Sequence, residues 1–155
     1  MKKKIDVKKI KELYIATDTF SVFDDSKLRD LNYKKWVEFV EKNSTYFTWY
    51  SETEAGKKLA ESIKTMPLEK RKTYLDLLEK YRCEAEYDLK KKHYLINVTF
   101  YEELKYISIS FERKVTINDL EMYYEMAKHL DAQLLFKGKN VIDKNVLENL
   151  EQLDS

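Results

Sequence analysis

Glycine and proline are scarce in this chain of 155 residues. Two glycines, Gly56 and Gly138, and one proline, Pro67, stand against typical usage of about 7% and 5%. Loops that cradle phosphate need several clustered glycines, because only glycine allows the close approach of the backbone. Since the two glycines are 82 residues apart, the patterns G-x-x-x-x-G-K-[ST], G-x-G-x-x-G and G-x-S-x-G cannot occur. We therefore expect short loops and none of the common nucleotide-binding or hydrolase motifs.

Cysteine and histidine are also scarce, which bears on metal and nucleophile chemistry. Cys83 is the one cysteine, so an internal disulfide and any multi-cysteine metal site are excluded. The two histidines, His93 and His129, are 36 residues apart, and H-E-x-x-H does not occur. No apolar run approaches the roughly 18 residues of a membrane span. We therefore expect a cytoplasmic protein that needs no cofactor, holds no metal and does not enter a membrane.

Net charge is low, at +1, but the charge is distributed unevenly. The first 11 residues, Met-Lys-Lys-Lys-Ile-Asp-Val-Lys-Lys-Ile-Lys, are strongly basic, as a surface that meets phosphate backbones would be. However, only four of the 29 basic residues are arginine, which nucleic-acid surfaces favour for its bidentate hydrogen bonds. Nucleic-acid binding through the lysine-rich N-terminus is therefore the alternative function rather than the main one.

Apolar spacing predicts that the first half of the chain is helical. Apolar residues repeat at helical intervals within residues 4–14. Ser51 and Glu54 match the S-x-x-E capping box, which predicts a helix over residues 52–65. Pro67 suits the first turn of another helix. The expected buried side of that helix comprises Leu68, Tyr74, Leu75, Leu78 and Tyr81.

The second half alternates in the manner of β-strands. Cys83, Ala85 and Tyr87 fall on one face of a strand that begins at Arg82, and residues 94–101 and 106–111 alternate in the same way. Connections of about four to six residues join the three strands, which predicts an antiparallel meander.

A helix, a strand and a last helix complete the predicted order. Thr116 and Asp119 stand in N-cap and N3 positions, residues 132–136 form a fourth strand, and Asp143 caps the last helix. The predicted fold class is α+β, with residues 1–155 as a single domain. It has a helical N-terminal half, followed by an antiparallel three- to four-stranded sheet covered on one face by helices, in the order β-β-β-α-β-α.

Two groups of side chains are candidates for catalysis. Cys83 is a candidate nucleophile with His93 as its base, but the strand pattern puts Cys83 on the apolar face, where cysteine behaves as a small hydrophobe. Glu84 and Glu86 share the other face at i, i+2 spacing, which suits a metal or acid–base site with His93 but is more often a solvated strand face. His129 falls in the last turn of its helix, where a cation interacts well with the helix dipole. Each pattern has a structural explanation, so we expect no enzymatic activity.

The polar face of the predicted sheet is the candidate binding surface. Its side chains point away from the covering helix and combine charge with tyrosine, which is enriched in protein interfaces. The alternatives are that the N-terminal helices pack on this face, or that it is simply hydrated. The candidate partner-binding residues are Arg82, Glu84, Glu86, Asn97, Thr99, Tyr101 and Tyr106, with Ser108 and Ser110 on the same face.

Short loops, the α+β layout and the missing motifs together favour a non-enzymatic protein-interaction module of the cytosol. Immunity proteins, which bind and neutralise a cognate bacterial toxin, are small cytosolic proteins of this description, and phage-encoded inhibitors are others. That comparison depends on size and fold class alone. The sequence therefore predicts a protein partner, with a toxin domain as the example, and leaves the oligomeric state open.

Overall fold

A seven-stranded sheet dominates the computed structural model, which describes residues 7–21, 24 and 26–154. Its strands are β1 (Glu12–Ala16), β2 (Phe47–Trp49), β3 (Arg82–Asp88), β4 (His93–Tyr101), β5 (Tyr106–Phe111), β6 (Gln133–Phe136) and β7 (Asn140–Val141). The order across the sheet is β2-β3-β4-β5-β1-β6-β7, and neighbouring strands are antiparallel throughout.

Five helices accompany the sheet within the same described residues. They are α1 (Tyr33–Lys42), α2 (Glu54–Ile63), α3 (Leu68–Leu78), α4 (Ile117–His129) and α5 (Lys144–Asp154), with 3₁₀ turns at Val7–Lys9 and Tyr50–Glu52. Helices α1, α4 and α5 cover one face, where Trp36, Tyr123 and Leu147 join strand residues in one buried core. Helices α2 and α3 pack against each other and against the Tyr50–Glu52 turn, beside the edge formed by β2 and β3.

The predicted meander is confirmed in β3, β4 and β5. Arg82 pairs with Thr99 across β3 and β4, and Thr99 pairs with Ser108 across β4 and β5. Cys83 and Ala85 are buried on the helix-covered face, as the alternation predicts. Tyr87, predicted on the same face, is instead 45% exposed, because Glu86 at φ +57° interrupts the alternation before it. The general α+β class is therefore right.

The N-terminal segment is a central strand, so the predicted helical N-terminal half is wrong. Leu13 in β1 pairs with Ile109 of β5 on one side and with Phe136 of β6 on the other. Leu13 and Ile15 are buried against the helices, and Ala16 is buried on the opposite face. Because Tyr14 and Ala16 on that opposite face are also packed against apolar neighbours, residues 13–16 lack polar alternation and satisfy helical spacing as well.

The predicted strand number is wrong as well, because three further strands join the expected four. Strand β1 enters the centre, β2 extends the sheet beyond β3, and β7 extends it beyond β6. Strand β2 has three residues and β7 has two. Strands this short are below the length at which a period of two can be recognised in a sequence.

The predicted cap of α4 is confirmed, whereas that of α2 is shifted. Thr116 Oγ1 accepts a hydrogen bond from the Asp119 backbone N–H at 3.2 Å, and Asp119 Oδ2 accepts one from the Thr116 N–H at 2.9 Å. In α2 the cap is Thr53 rather than Ser51, and its hydroxyl accepts from the Gly56 N–H at 3.0 Å. The α2 helix therefore begins at Glu54 and is shorter than expected.

The expected buried side of α3 is largely exposed. The helix follows Pro67, as predicted. However, Leu68 and Leu75 are 77% and 46% exposed, and Tyr74 is exposed too. Because α3 packs mainly against α2 and the 3₁₀ turn, its apolar stripe has little to cover it.

The sheet face opposite α1, α4 and α5, here called the open face, is covered at one end. There Leu28, from the segment after β1, packs on Ala16 and Leu135. The Arg29 backbone N–H holds that segment in place by donating to Thr17 Oγ1 at 2.8 Å. Toward β3 and β4 the face is polar and half-exposed.

Candidate binding cleft on the open face

A cleft of about 590 Å³ lies at the β3–β4 end of the open face. The strands form its floor, and residues 50–55, from the 3₁₀ turn to the start of α2, form one wall. Its lining includes four carboxylates, from Glu52, Glu54, Glu84 and Glu112. We therefore call it the acidic cleft.

Three of the predicted partner-binding residues form one network on the floor of this cleft. Arg82 Nη2 donates to Glu84 Oε1 and to Asn97 Oδ1, both at 3.0 Å. Strand pairing sets this geometry, because Glu84 lies directly opposite Asn97 in the β3–β4 register. The guanidinium of Arg82 also lies over the ring of Tyr50, with its Cζ 4.7 Å from the ring centroid, which is a cation–π contact. The network thus joins the floor to the wall.

Glu84 is an unusually buried carboxyl group for a surface cleft. Only 7% of the residue is exposed. Burial raises the pKa of Glu84, although the neighbouring Arg82 opposes the shift. Desolvation therefore outweighs the ion pair, because a charge removed from water needs more compensation than one partner supplies.

His93 and Glu112 form a second polar pair in the cleft. His93 Nε2 lies 2.5 Å from Glu112 Oε2, and both side chains are about half exposed, at 48% and 50%. The two residues come from β4 and from the end of β5, where the Glu112 N–H still donates to the Leu95 carbonyl at 2.8 Å. Beside them, Tyr87 and Tyr94 meet edge to face at 5.1 Å between ring centroids. Aromatic rings and ionisable groups thus share one site.

Gly56 explains how the wall can stand so close to α2. A Cβ at this position would lie 2.0 Å from the carbonyl oxygen of Tyr50 and 2.9 Å from the Cα of Ser51. Both are backbone atoms, which cannot move aside as a flexible side chain would. The absence of a side chain at Gly56 therefore allows α2 to pack directly on the Tyr50–Glu52 turn.

Glu86 does not converge with Glu84, although the two are separated by one residue. Its φ is +57°, which interrupts the alternation of β3. Its carboxylate instead binds Arg113, which also donates to Asp119 Oδ2 at 2.7 Å and Oδ1 at 3.0 Å in α4. The sequence-based pairing of Glu84 with Glu86 around a metal or a scissile bond is therefore not formed. Within the described residues, no three His, Cys, Asp or Glu side chains are grouped so as to hold a metal ion.

The other three predicted partner-binding residues lie toward the centre of the open face. Thr99 is half-buried, between Arg82 and Ser108 in the strand register. Tyr101 and Tyr106 meet edge to face at 5.5 Å between ring centroids, and Tyr106 stacks on Phe20 at 5.2 Å. Tyr101 is exposed, whereas Tyr106 is half-buried under these contacts.

Cys83 and His129 lie where the strand and helix patterns predicted. Cys83 is fully buried on the helix-covered face, and burial raises the pKa of its thiol well above the ordinary value. A nucleophilic role with His93 is not supported by this placement, because the thiolate is the reactive form. His129 ends α4, with its Nε2 3.7 Å from Glu38 Oε1 and its ring beside Phe39.

The lysine-rich start lies only partly within the described residues, because residues 1–6 are outside them. Lys9 and Lys11 line a smaller hollow of about 320 Å³ together with Lys137. The rings of Phe20 and Phe136 line the same hollow. Folding therefore brings aromatic rings beside these lysines, although the sequence shows no such interleaving.

Of the thirteen residues that line the acidic cleft, the predicted partner-binding set contains three, Arg82, Glu84 and Asn97. Those that it lacks include Tyr50, Lys92 and Glu112. Glu112 could have been found, because it continues the polar side of β5 two residues after Ser110. Tyr50 gave no signal, because it precedes β3 by some thirty residues and meets it only through the β2–β3 pairing. Lys92, at φ +59°, belongs to the turn before β4 and was assigned only to a polar connection.

The fold and the cleft define a class: an α+β protein with a seven-stranded antiparallel sheet, helices on one face and an acidic cleft on the other. Compared with known proteins, the chain matches no family model, no curated protein and no solved structure. Among the described residues, no helix is both long enough and apolar enough to cross a membrane.

Proposed function

We propose that this chain is a non-enzymatic protein-binding module of the cytosol and that the open face is its binding surface. The observation that carries the proposal is the acidic cleft, on a sheet face that α1, α4 and α5 leave uncovered. Tyr87 beside the cleft and Tyr101 on the open face are 45% and 42% exposed. Half-exposed tyrosines around a preorganised polar centre are typical of interfaces.

Two placements support binding rather than catalysis. Cys83 is inaccessible in the core, and its raised pKa keeps the thiol protonated. Glu84 and Glu86 engage different arginines, Arg82 and Arg113, so their carboxylates do not converge on one site.

We propose a toxin domain as the partner, by analogy with immunity proteins of similar size and class. Such a protein would neutralise a cognate bacterial toxin by covering its surface. If a toxin is encoded beside the gene of this chain, growth of cells that produce that toxin provides the test. The intact chain is expected to restore growth, and a chain altered on the open face is not.

Substitution on the open face tests the binding surface itself. Thr99→Arg introduces a bulky charge at its centre, and Thr45→Arg makes the same change at an exposed site in the turn before β2. Affinity purification from the native host under mild conditions should recover a stoichiometric partner with the unaltered chain and with Thr45→Arg, but not with Thr99→Arg. Circular dichroism checks that both variants fold. Equal recovery with both variants, or no stoichiometric partner at all, would overturn the proposal.

A second candidate function, nucleic-acid binding, is favoured by the hollow that Lys9, Lys11 and Lys137 share with Phe20 and Phe136. Lysines beside accessible rings suit a phosphate backbone with stacked bases. Retention on immobilised DNA or RNA that decreases with salt, and that is lost on deleting residues 1–11 or on changing Lys137→Gln, would favour this function over protein binding.

A further inference from the structure

The charge of the acidic cleft is not balanced by its own cations. The four carboxylates of its lining face two permanent cations, Arg82 and Lys92, so the lining is negative when His93 is neutral. Arg82 is already engaged with Glu84 and Asn97 through its Nη2, and its buried Nε has no hydrogen-bond partner among the described residues. Glu52 and Glu54 form no ion pair with any described residue, and both are exposed at the rim of the cleft. The cleft therefore attracts cations.

The floor of the cleft offers an incompletely satisfied acceptor. Glu84 is 93% buried, being 7% exposed, and its Oε1 accepts from Arg82 Nη2 at 3.0 Å. From the described residues, no hydrogen bond reaches its second oxygen, Oε2. A buried carboxylate has room for about four hydrogen bonds, so a further donor would be well accommodated. A donor that also carries positive charge would offset the desolvation of this group.

The walls of the cleft suit the body of a long basic side chain. Tyr50 already receives the Arg82 guanidinium on its ring, which shows that this wall accepts cation–π contacts. Tyr87 and Tyr94 add a second aromatic pair to the lining of the cleft. Aromatic surface can cover the methylene groups of lysine or arginine while the charged end reaches a carboxylate.

From these observations we infer that the acidic cleft receives one lysine or arginine side chain projecting from the protein partner. The inference rests on the proposed protein-binding function and specifies its chemistry. The incoming cation would donate to Glu84 at the floor, with Glu52 and Glu112 adding attraction from the rim. Its aliphatic part would lie between the tyrosines. The partner therefore presents a basic surface to the open face.

Binding of acetyl-arginine amide to the intact chain tests the inference without the partner. Acetyl-citrulline amide is the control probe, because it has nearly the same shape and no charge. In an NMR titration, the arginine probe should shift the amide signals of Tyr50, Glu84 and Asn97, whereas the citrulline probe should not. Equal shifts with both probes, or no localised shift with the arginine probe, would overturn the inference.

Two double variants test whether the carboxylates of the cleft attract the arginine probe. Glu52→Gln with Glu112→Gln removes two negative charges from the cleft and leaves the buried Glu84 unchanged. Glu61→Gln with Glu69→Gln removes two exposed charges from α2 and α3, outside the cleft. The first double variant should weaken the arginine probe about fivefold, and the second should not. Equal affinities of the two double variants would overturn the inference.

The two proposals fail in different ways. If Thr99→Arg abolishes recovery of a partner while the arginine probe does not bind, the open face is a binding surface but the cationic occupant is wrong. If the probe binds in the cleft while no partner is recovered, the cleft recognises cations and the protein-binding function is wrong.

Discussion

At Glu84, burial and an ion pair act in opposite directions on one carboxyl group. Because desolvation outweighs the ion pair, the pKa of Glu84 is raised, so the folded chain binds this proton more tightly than the unfolded chain does. The contribution of Glu84 to stability is therefore fully present below the ordinary value of 4.5 and is lost as the pH rises through the folded pKa. The ion pair with Arg82 thus positions the side chains and adds little to the free energy of unfolding.

Glu84→Gln is expected to leave the protein as stable as the unaltered chain near neutral pH, or about 1 kcal/mol more stable. The neutral amide keeps the shape and removes the buried charge. Urea unfolding followed by circular dichroism at several pH values measures the difference, which should vanish in acid. Glu148→Gln, at an exposed position of α5, should change nothing. A loss of stability at neutral pH would contradict this account of Glu84.

Asp119 shows the opposite balance, although it is also buried, at 3% exposure. Burial alone would raise its pKa, but hydrogen bonds from Arg113 and Thr116 outweigh burial and hold the pKa below the ordinary value. Tyr46 donates a further hydrogen bond to its Oδ1 at 3.0 Å. The number of donors decides the sign: Glu84 has one, and Asp119 has several.

Asp119→Asn should therefore destabilise the protein by about 3 kcal/mol at neutral pH. Since the pKa of Asp119 is lowered, its stabilising effect is present above the ordinary value of 3.8 and is lost as the pH falls through the folded pKa. The difference in free energy of unfolding between the variant and the unaltered chain, measured by urea unfolding, should become smaller at acidic pH. Asp131→Asn, whose side chain is 90% exposed, is the control. A difference in free energy of unfolding that is independent of pH would contradict stabilisation by the charged form of Asp119.

At the scale of the elements, the junction between α2 and the Tyr50–Glu52 turn depends on one missing side chain. Alanine normally stabilises a helix interior by about 1 kcal/mol relative to glycine. Gly56→Ala should instead destabilise by about 1–3 kcal/mol, because the Cβ would meet the Tyr50 carbonyl oxygen. Urea unfolding measures the sign, and Lys58→Ala at an exposed position of the same helix is the control. Stabilisation by Gly56→Ala would show that the Tyr50–Glu52 turn can shift to accommodate the added Cβ.

Elements whose sequence combines an apolar face with a polar face could be predicted. Elements without such a pattern could not. The alternation of Cys83 and Ala85 with charged residues identified β3, and the Thr116–Asp119 box identified α4. In β1, Leu13 to Ala16 are apolar without interruption, because the open face of the sheet is also packed at Tyr14 and Ala16. The stripe of α3 was misleading, because Leu68 and Leu75 have helical spacing but no surface to cover.

At the scale of the whole molecule, stability should depend more on the first strand than on the last. Ile15→Ala leaves a cavity in the centre of the core, which should cost about 2–5 kcal/mol. Val141→Ala, in the half-buried edge strand β7, should cost clearly less. Urea unfolding of both variants gives the comparison. Similar costs would mean that the sheet is not organised around β1.

Only the part of the candidate site that lies on the neighbouring strands β3 and β4 could be predicted from the sequence. Arg82, Glu84 and Asn97 were identified from alternation in β3 and β4, because the register of a short hairpin follows from the turn. The wall of residues 50–55 could not be identified in this way. Its position depends on long-range pairing of β2 and on the close contact at Gly56, and neither produces a local pattern.

The central place of β1 also affects how the chain folds during its synthesis. Strand β1 leaves the ribosome before both of its neighbours, and 90 residues separate Ala16 from Tyr106, where β5 begins. At about 5–20 residues per second, β1 would wait roughly 5 to 20 seconds for its first partner. For that time an apolar strand with two unpaired edges is available to chaperones, or to a neighbouring nascent chain. Strand β1 is therefore protected from aggregation only after the last third of the chain, which contains β5 and β6, has been synthesised.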